Sequence, residues 1–220
     1  MIPAGALIVS CQAREGNPLR GSAFMAAMAC AAIAGGARGI RADGPDDIAA
    51  IRAVTKLPLI GLNKRWEEGF PVYITPDFAS AQAIVAAGAD IVALDATPRR
   101  RNGEPVGALI GRIRAELGVK VLADVAVLAE GLAAAAAGVD FVATTLSGYT
   151  DDAPGQDGPD FALLEALARG CAVPVIAEGR FDTPAAVARA FALGAHAVVV
   201  GTAITNPMAI TRRFVAAAPG

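Results

Sequence analysis

Lys64 is the residue of this sequence best suited to chemistry. It follows the apolar run Leu59–Leu62 through Asn63, so a buried strand is expected to carry its amine directly out of the core. Arginine cannot lose its proton in proteins, whereas a partly buried lysine beside other cations can act as a base or as an amine nucleophile. Lys56 and Lys120, the other two lysines, end a predicted helix and begin a predicted strand, where a solvated charge is natural. Binding of an anionic substrate is the alternative role for Lys64.

Glu178 is the second candidate for proton transfer. It follows the apolar run Pro174–Ala177 and precedes Gly179 and Arg180, so it is expected at the mouth of a strand. A carboxyl group there can exchange a proton at neutral pH if burial raises its pKa. The alternative is that Glu178 only orients a hydroxyl group of the substrate.

Glycines after two strands indicate a phosphate site. Gly179 with Arg180, and Gly201 with Thr202, follow the last two predicted strands. Many barrels bind phosphate at this position through backbone N–H groups and a helix N-terminus, so the position predicts a phosphorylated substrate. The glycines alone are a weak signal, because glycine also ends strands for steric reasons.

A repeated pattern indicates the elements that position these residues. Helix-ending glycines followed by short apolar runs recur at Gly36, Gly88, Gly138 and Gly194, and a second kind of apolar run lies between them. Such continuous runs are typical of strands buried on both faces. They predict an α/β protein, a single-domain (β/α)8 TIM barrel over residues 1–220, with an open α/β sheet as the structural alternative. The strands are expected at about residues 7–11, 39–41, 58–62, 91–94, 120–123, 141–144, 174–177 and 197–200.

Polar side chains follow nearly every predicted strand. In a (β/α)8 barrel the active site forms at the carboxyl ends of the strands, so these side chains are candidates for the site. A structural ion pair, such as one between Arg41 and Asp95, is the alternative for any single residue. Asp95 and Asp124 could instead hold Mg²⁺ through their carboxylates. Besides Lys64 and Glu178, the candidates are Gln12, Arg41, Asp95, Asp124, Thr144 and its neighbour Thr145.

Composition argues against several kinds of partner. The 19 basic and 21 acidic residues give a formal net charge of −2, without the basic excess that would attract nucleic acid or an anionic membrane. Hydrophobic residues make up 55% of the chain and charged residues 18%, which indicates a folded protein with a large core.

The uncharged stretch Gly21–Ala37 is short for a membrane span, so a packed helix is expected there. The N-terminus lacks the features of a signal peptide, which predicts a cytoplasmic protein.

The single histidine and the cysteines are expected to be structural. His196 begins the eighth predicted strand, away from the mouth, which argues against a Ser-His-Asp triad or a histidine-based metal centre. Cys11, Cys30 and Cys171 show no Cys-x-x-Cys spacing and are expected to be small buried thiols. The polar, turn-rich segment from Thr150 to Pro159 is expected to be a mobile loop after strand six.

At these residues the sequence resembles the N-acylglucosamine-6-phosphate 2-epimerase family, whose members are also called N-acetylmannosamine-6-phosphate 2-epimerases. The resemblance covers nearly the whole chain. Its most specific motifs are the run from Thr144 to Thr150, Thr-Thr-Leu-Ser-Gly-Tyr-Thr, and the run from Ile176 to Arg180, Ile-Ala-Glu-Gly-Arg. The other motifs are Leu7–Ala13, Gly39–Ala42, Asn63–Arg65, Pro71–Pro76, Ala89–Thr97, Ala123–Asp124 and Gly201–Thr205.

The resemblance implies an enzyme of sialic acid catabolism that interconverts N-acetylmannosamine 6-phosphate and N-acetylglucosamine 6-phosphate by inversion at C2. Lys64 would remove and return the C2 proton, and Glu178 would assist proton transfer or sugar-ring opening. Because the C2 proton is acidic when C1 is an aldehyde, neither a redox cofactor nor a metal is required. The resemblance also implies a homodimer. The substrate would contact Gln12, Arg41, Asp95, Asp124, Thr144 and Tyr149, and its phosphate would bind at Gly179, Arg180, Gly201 and Thr202.

One position departs from the family pattern, and two other functions remain open. Asn206 precedes Pro207 where the family commonly has an arginine. Since arginine often clamps phosphate, its loss is expected to weaken phosphate binding or shift substrate preference, unless Arg180 or an arginine within residues 99–101 substitutes.

Two alternative functions remain open for the chain, a Schiff-base aldolase or synthase that uses Lys64 covalently, and a non-catalytic sugar-phosphate sensor. The Ala-rich helix expected over residues 22–34 is a candidate for close packing against a partner subunit.

Overall fold

The computed structural model describes residues 1–151, 153, 155 and 157–219. Within these residues eight parallel strands form a closed barrel in chain order, with the last strand hydrogen-bonded to the first. The predicted (β/α)8 barrel is confirmed, and the open sheet is excluded because no strand is left at an edge. The strands are β1 (Ala6–Cys11), β2 (Gly39–Asp43), β3 (Leu59–Leu62), β4 (Ile91–Asp95), β5 (Lys120–Asp124), β6 (Phe141–Ala143), β7 (Val175–Glu178) and β8 (Ala197–Val200).

Each strand buries both of its faces. Successive side chains of a strand point to opposite sides, so Ile8 lies in a cluster inside the barrel while its neighbour Val9 packs in the layer between barrel and helices. Ile176 and Ala177 divide in the same way. The double burial explains why the strands read as continuous apolar runs. Because the side chains alternate, every second residue of a strand points into the barrel. This alternation decides which polar residue at the end of the strand faces the interior.

The helices form the outer layer of the barrel. Glycines end several of them in the left-handed conformation: Gly88 has φ of 107°, and the next residue, Ala89, donates its N–H to Ile84 O (3.1 Å) across the helix end. Gly138 has φ of 92° with the equivalent bond, as the repeat predicts. The helices are α1 (Ser22–Ala34), α2 (Pro45–Val54), α3 (Phe78–Ala86), α4 (Val106–Arg112, continued by a π-helical turn, Ile113–Leu117), α5 (Leu128–Ala136), α6 (Phe161–Gly170), α7 (Pro184–Ala192), α8 (Thr202–Thr205) and α9 (Pro207–Ala217).

The N-terminal residues close the amino end of the barrel. Ile2 is buried in the interior cluster together with Ala6 and Ile8. His196 Nε2 lies 3.0 Å from the carbonyl oxygen of Ile2, and Gly5 donates its N–H to His196 O (2.9 Å). The structural role predicted for His196 at the start of β8 is therefore confirmed.

Most other sequence predictions for the fold hold. The predicted strand bounds agree with the observed ones to within two residues, and α1 replaces the membrane span considered for residues 21–37. In the described part of the chain, every helix is too short or too polar to cross a membrane. The prediction of buried thiols is correct for Cys11 and only partly correct for Cys171, which is half-buried. It is wrong for Cys30, which is exposed because it lies on the outer side of α1. The loop predicted over residues 150–159 includes positions 152, 154 and 156, which lie outside the described residues.

Candidate active site

Inward-pointing side chains converge at the carboxyl ends of the strands. Arg41 and Asp43 are two residues apart in β2 and share one face, and the same spacing leads from Ala143 in β6 to Thr145 beyond it. A cavity of about 890 Å³ opens between these strand ends, within the range of small-molecule sites. Its walls include Gln12, Arg14, Lys64, Tyr73, Glu178 and Arg180.

Lys64 lies at this cavity, two residues beyond β3. Its Nζ donates to Gln12 Oε1 (2.5 Å) and lies 3.7 Å from Asp43 Oδ2. Gln12 is oriented by a second bond, because its Nε2 donates to Ser10 Oγ (2.8 Å). Burial lowers the pKa of Lys64, the charge of Asp43 opposes the shift, and nearby arginines reinforce it. The amine therefore becomes neutral and basic at a lower pH than a surface lysine does.

Arg41 joins two carboxyl groups beneath the cavity. Its Nη1 and Nη2 donate to Asp124 Oδ1 (3.1 Å) and Oδ2 (2.6 Å), and Nη1 also lies 2.8 Å from Glu178 Oε2. The side chain is only 1% exposed, so these bonds replace its hydration. Burial lowers the pKa of Arg41, but Asp124 and Glu178 raise it by more, and the guanidinium keeps its charge.

Glu178 ends β7 with its carboxyl group buried in this network. Burial raises the pKa of Glu178 above its ordinary value, and the negative charge of Asp124 adds to the rise while Arg41 opposes it. The Thr144 hydroxyl fixes the backbone of Glu178, donating to its carbonyl (2.8 Å) and accepting its N–H (3.0 Å). The Thr145 hydroxyl lies beside its carboxyl group.

Lys64 and Glu178, the two residues predicted to be catalytic, thus face one cavity. The pKa of Lys64 is lowered and that of Glu178 is raised. Lys64 gains access to its neutral form, and Glu178 gains access to its protonated form. Pairs of titratable groups tuned in this way are suited to act as base and acid in proton transfer. The arrangement can therefore remove a proton from carbon and supply one to oxygen.

Asp95 lies outside this network. Its Oδ2 accepts from Arg99 Nη2 (2.6 Å), and its Oδ1 accepts from the Thr97 hydroxyl (2.6 Å). The ion pair considered between Arg41 and Asp95 is therefore wrong, because Asp124 takes the guanidinium of Arg41 and Arg99 takes the carboxylate of Asp95. Both aspartates considered as Mg²⁺ ligands are bound by arginines in this structure.

The predicted substrate-binding residues divide into two groups. Gln12, Arg41 and Tyr149 border the cavity, and Tyr149 is exposed at its rim. Asp95, Asp124 and Thr144 are buried behind its wall. Asp124 and Thr144 hold Arg41 and Glu178 in place, whereas Asp95 binds Arg99, which does not border the cavity.

The predicted phosphate region lies on one side of the same cavity. Gly179, Arg180, Gly201 and Thr202 all border it. Arg180 has the left-handed φ of 58°, which turns its side chain back so that Nε donates to Gly158 O (2.5 Å) and Nη1 to Ser147 O (2.8 Å). Its guanidinium carbon lies 5.3 Å from the Tyr149 ring centroid.

Asn206 has a structural task beside this region. Its side chain accepts the N–H of Ala209 (3.1 Å) and so caps the start of α9, with Pro207 in the first turn. The arginines within residues 99–101 do not border the cavity, and Arg99 and Arg101 are bound around Asp95. Of the substitutes considered for the absent arginine, only Arg180 lies at the cavity.

Sequence reasoning missed or misplaced several residues of the site. Asp43 was not singled out, although it shares the inward face of β2 with Arg41. Thr144 was preferred to Thr145, although the parity of Phe141 and Ala143 in β6 directs Thr145 inward. The same rule, counted two residues on from Arg41 and from Ala143, would have found both.

The fold and the site together define a class, the parallel (β/α)8 barrels that carry proton-transfer side chains at the carboxyl ends of their strands. Over residues 25–219 the chain matches the family described as "Putative N-acetylmannosamine-6-phosphate epimerase". The chain belongs to this family.

Individual relatives agree with the family match. A protein of Caldanaerobacter subterraneus subsp. tengcongensis is 50% identical over 211 residues, which cover 95% of this chain and 89% of the relative. A protein of Cutibacterium acnes is 49% identical over 214 residues, covering 96% of this chain and 93% of the relative. Both are named "Putative N-acetylmannosamine-6-phosphate 2-epimerase".

Solved structures show both the family and the wider fold. The N-acetylmannosamine-6-phosphate 2-epimerase from Clostridium perfringens superimposes with a TM-score of 0.95 at 45% identity, covering 99% of this chain and 95% of that one. A thiamine phosphate pyrophosphorylase from Pyrococcus furiosus superimposes with a TM-score of 0.65 at 17% identity, covering 94% of this chain and 90% of that one. The second likeness reflects the shared barrel alone.

Proposed function

We propose that this chain is a 2-epimerase that interconverts N-acetylmannosamine 6-phosphate and N-acetylglucosamine 6-phosphate. The observation that carries the proposal is the pairing of Lys64 and Glu178 at one cavity, with the pKa of the amine lowered and that of the carboxyl group raised. Membership of the epimerase family supplies the substrate class. The reaction belongs to the isomerases and fits amino-sugar catabolism, including the breakdown of sialic acid.

The chemistry begins with the open-chain sugar, whose C1 aldehyde makes the C2 proton acidic. Neutral Lys64 takes this proton, and negative charge develops on the aldehyde oxygen as the enolate forms. The positive charge of Arg41, whose side chain is only 1% exposed, stabilises that charge together with a proton available from Glu178. The Lys64 ammonium then gives a proton to the opposite face of C2, and the enol O–H returns its proton to Glu178 as the aldehyde re-forms. The epimerisation needs neither a redox cofactor nor a metal.

The remaining site residues divide between the two ends of the substrate. Gln12 and Tyr149 are proposed to contact the sugar and its acetamido group. Gly179, Arg180, Gly201 and Thr202 are proposed to bind the phosphate. Among the described residues, the backbone N–H groups of Gly201 and Thr202 have no protein acceptor, which leaves them available to phosphate oxygens. Asp124 and Thr144 act on the substrate through Arg41 and Glu178, which they hold in place, whereas Asp95 binds Arg99 away from the cavity.

Proton NMR in D2O tests the reaction and the role of Lys64 together. Purified protein with N-acetylmannosamine 6-phosphate should form the gluco epimer with deuterium at C2, and Lys64→Ala should abolish both signals. Lys56→Ala is the matched control, because Lys56 is exposed and precedes β3 at the amino end of the barrel, and it should convert substrate at the wild-type rate. Wild-type protein that forms no epimer and exchanges no C2 proton would refute the proposal.

The covalent alternative is separated by a trapping experiment. A Schiff-base aldolase that uses Lys64 would gain the mass of the substrate at this residue when reduced with borohydride during turnover. A proton-transfer epimerase forms no imine, so the mass of the Lys64 peptide should not change. An adduct at Lys64 that forms as fast as turnover would favour the aldolase.

We also propose a homodimer and a cytoplasmic site of action. Helix α9 buries none of its residues in the described chain, and its Phe214 and Val215 are exposed, so its apolar side chains favour a partner subunit. Helix α1, expected to pack against a partner, buries Met25 and Ala29 within the chain and exposes Phe24. Sedimentation equilibrium should give twice the chain mass.

A phosphorylated sugar is charged and crosses membranes poorly, which favours an enzyme that acts in the cytoplasm, where the sugar phosphate is produced.

A further inference from the structure

The Thr145 hydroxyl lies between two carboxyl groups. Its Oγ1 is 2.6 Å from Asp124 Oδ1 and 3.0 Å from Glu178 Oε2. A hydroxyl carries one hydrogen, so it can donate to only one of the two oxygens. The other contact must receive its hydrogen from the carboxyl group, or else lone pairs of two buried oxygens face each other.

The distances and partners decide which carboxyl group holds the hydrogen. The shorter contact is with Asp124, whose two oxygens also accept from Nη1 and Nη2 of Arg41. Asp124 thereby accepts three hydrogen bonds, the arrangement that best stabilises a carboxylate. Glu178 Oε2 has one bond from Arg41 Nη1 (2.8 Å), which leaves it able to carry a hydrogen and point it at Thr145 Oγ1.

We propose that Thr145 is a positioning residue that keeps the shared proton on Glu178 and the negative charge on Asp124. The proposal gives the acid of the proposed epimerase its proton, and in that respect it rests on the proposed function. When Glu178 gives its proton to a substrate oxygen, its O–H bond breaks and the substrate O–H bond forms. The Thr145 hydroxyl then rotates to donate to the new carboxylate and gives up its bond to Asp124, which keeps both of its bonds from Arg41. No covalent bond other than these two O–H bonds changes.

The surroundings of Glu178 are consistent with this assignment. The charged groups that act on it are Arg41 from β2, Asp124 from β5 and Lys64 beyond β3. Burial raises the pKa of Glu178, so its protonated form is accessible. The branched side chain of threonine restricts χ1 and holds the hydroxyl between the carboxyl groups better than serine would.

Infrared difference spectroscopy can locate the proton without substrate. The spectrum of the wild type minus that of Glu178→Gln isolates the C=O stretch of a protonated Glu178 at neutral pH. Thr145→Val keeps the side-chain shape but removes both the acceptor of the Glu178 proton and a donor to Asp124. Both losses move the proton away from Glu178, so the ratio of protonated to ionised Glu178 should fall by about tenfold. Thr145→Ser keeps the hydroxyl and should restore the band.

Each outcome decides the proposal. A wild-type band that persists in Glu178→Gln and vanishes in Asp124→Asn would place the proton on Asp124 and overturn it, even if Thr145→Val does not fold. An unchanged Glu178 band in a folded Thr145→Val would overturn it as well. Because the spectra need no turnover, a protein that shows the expected band shift but no epimerisation would refute the proposed function and leave the role of Thr145 standing.

Discussion

Replacing Arg41 with methionine should destabilise the protein strongly, and the loss should depend on pH. Arg41 is almost completely buried and makes three charged contacts with Asp124 and Glu178 at 2.6 to 3.1 Å. Methionine fills much of the same volume but leaves both carboxyl groups without their cation. Breaking a buried ion pair by removing one partner costs about 3–5 kcal/mol of unfolding free energy. For a chain of this length that corresponds to a fall in melting temperature of roughly 6–20 °C.

The sign of the pH dependence follows from the carboxyl groups that remain. Burial already raises the folded-state pKa of Glu178, and Arg41 opposes the rise, so its removal raises that pKa further. A carboxyl group with a raised folded-state pKa contributes stability at low pH that is lost as pH rises through that pKa. The deficit of Arg41→Met should therefore be smallest at acidic pH, where Glu178 is protonated in both folded proteins, and grow as pH rises through the raised folded-state pKa of Glu178.

Urea unfolding of the variant and the wild type from acidic to alkaline pH checks both the size and the sign. Arg169→Met is the control, because it removes an exposed ion pair with Glu165 and should change the unfolding free energy by about 0.5 kcal/mol or less. A loss in Arg41→Met no larger than in this control, or one that grows on acidification, would refute the buried-network reasoning.

Other predictions follow from neighbouring contacts. Asp43→Asn removes the negative charge that keeps the pKa of Lys64 from falling further, so the pKa of Lys64 should fall. The acidic limb of the profile of kcat/KM against pH should therefore move to lower pH, and movement to higher pH would contradict this. Asn206→Ala should lower the unfolding free energy by about 1 kcal/mol through loss of the α9 cap, whereas Asn206→Asp, which retains a capping oxygen, should not. In the native protein Cys30 should react with a maleimide before Cys11, since burial raises the pKa of the Cys11 thiol to about 12; equal rates, measured by mass spectrometry of peptides, would argue against the packing described.

The positions of Lys64 and Glu178 were predictable because strand parity and strand ends are local properties of the sequence. An apolar run followed by one ionisable residue is enough to place that residue at the mouth of a parallel barrel. The sequence alone could predict only that the pKa of each residue would shift if the residue were buried. The shifts depend on burial and on Arg41 and Asp124, which come from other strands.

The partners of the charged residues were not predictable in the same way. Asp95 and Asp124 occupy equivalent positions at the ends of neighbouring strands, so the sequence does not distinguish which one pairs with Arg41. Arg99, in the loop after β4, binds Asp95, and Asp124 is the aspartate that pairs with Arg41. Asn206 is similar, because its capping role depends on where α9 begins. Cys30 was misjudged because the small residues on both sides of α1 give no sign of which face is outward.

The closure of the barrel by Ile2 leaves the site open toward the carboxyl end of the barrel. Among the described residues, Ile2 and the interior cluster fill the amino end, so solvent reaches Lys64 from the mouth, past side chains such as Gln12 and Tyr73. A bound sugar phosphate that occupies this mouth would stand between the captured proton and bulk water. The fraction of solvent deuterium that appears at C2 then becomes a measure of competition between return of the proton to carbon and its escape around the substrate. A smaller side chain at the rim should raise that fraction without changing which group removes the proton.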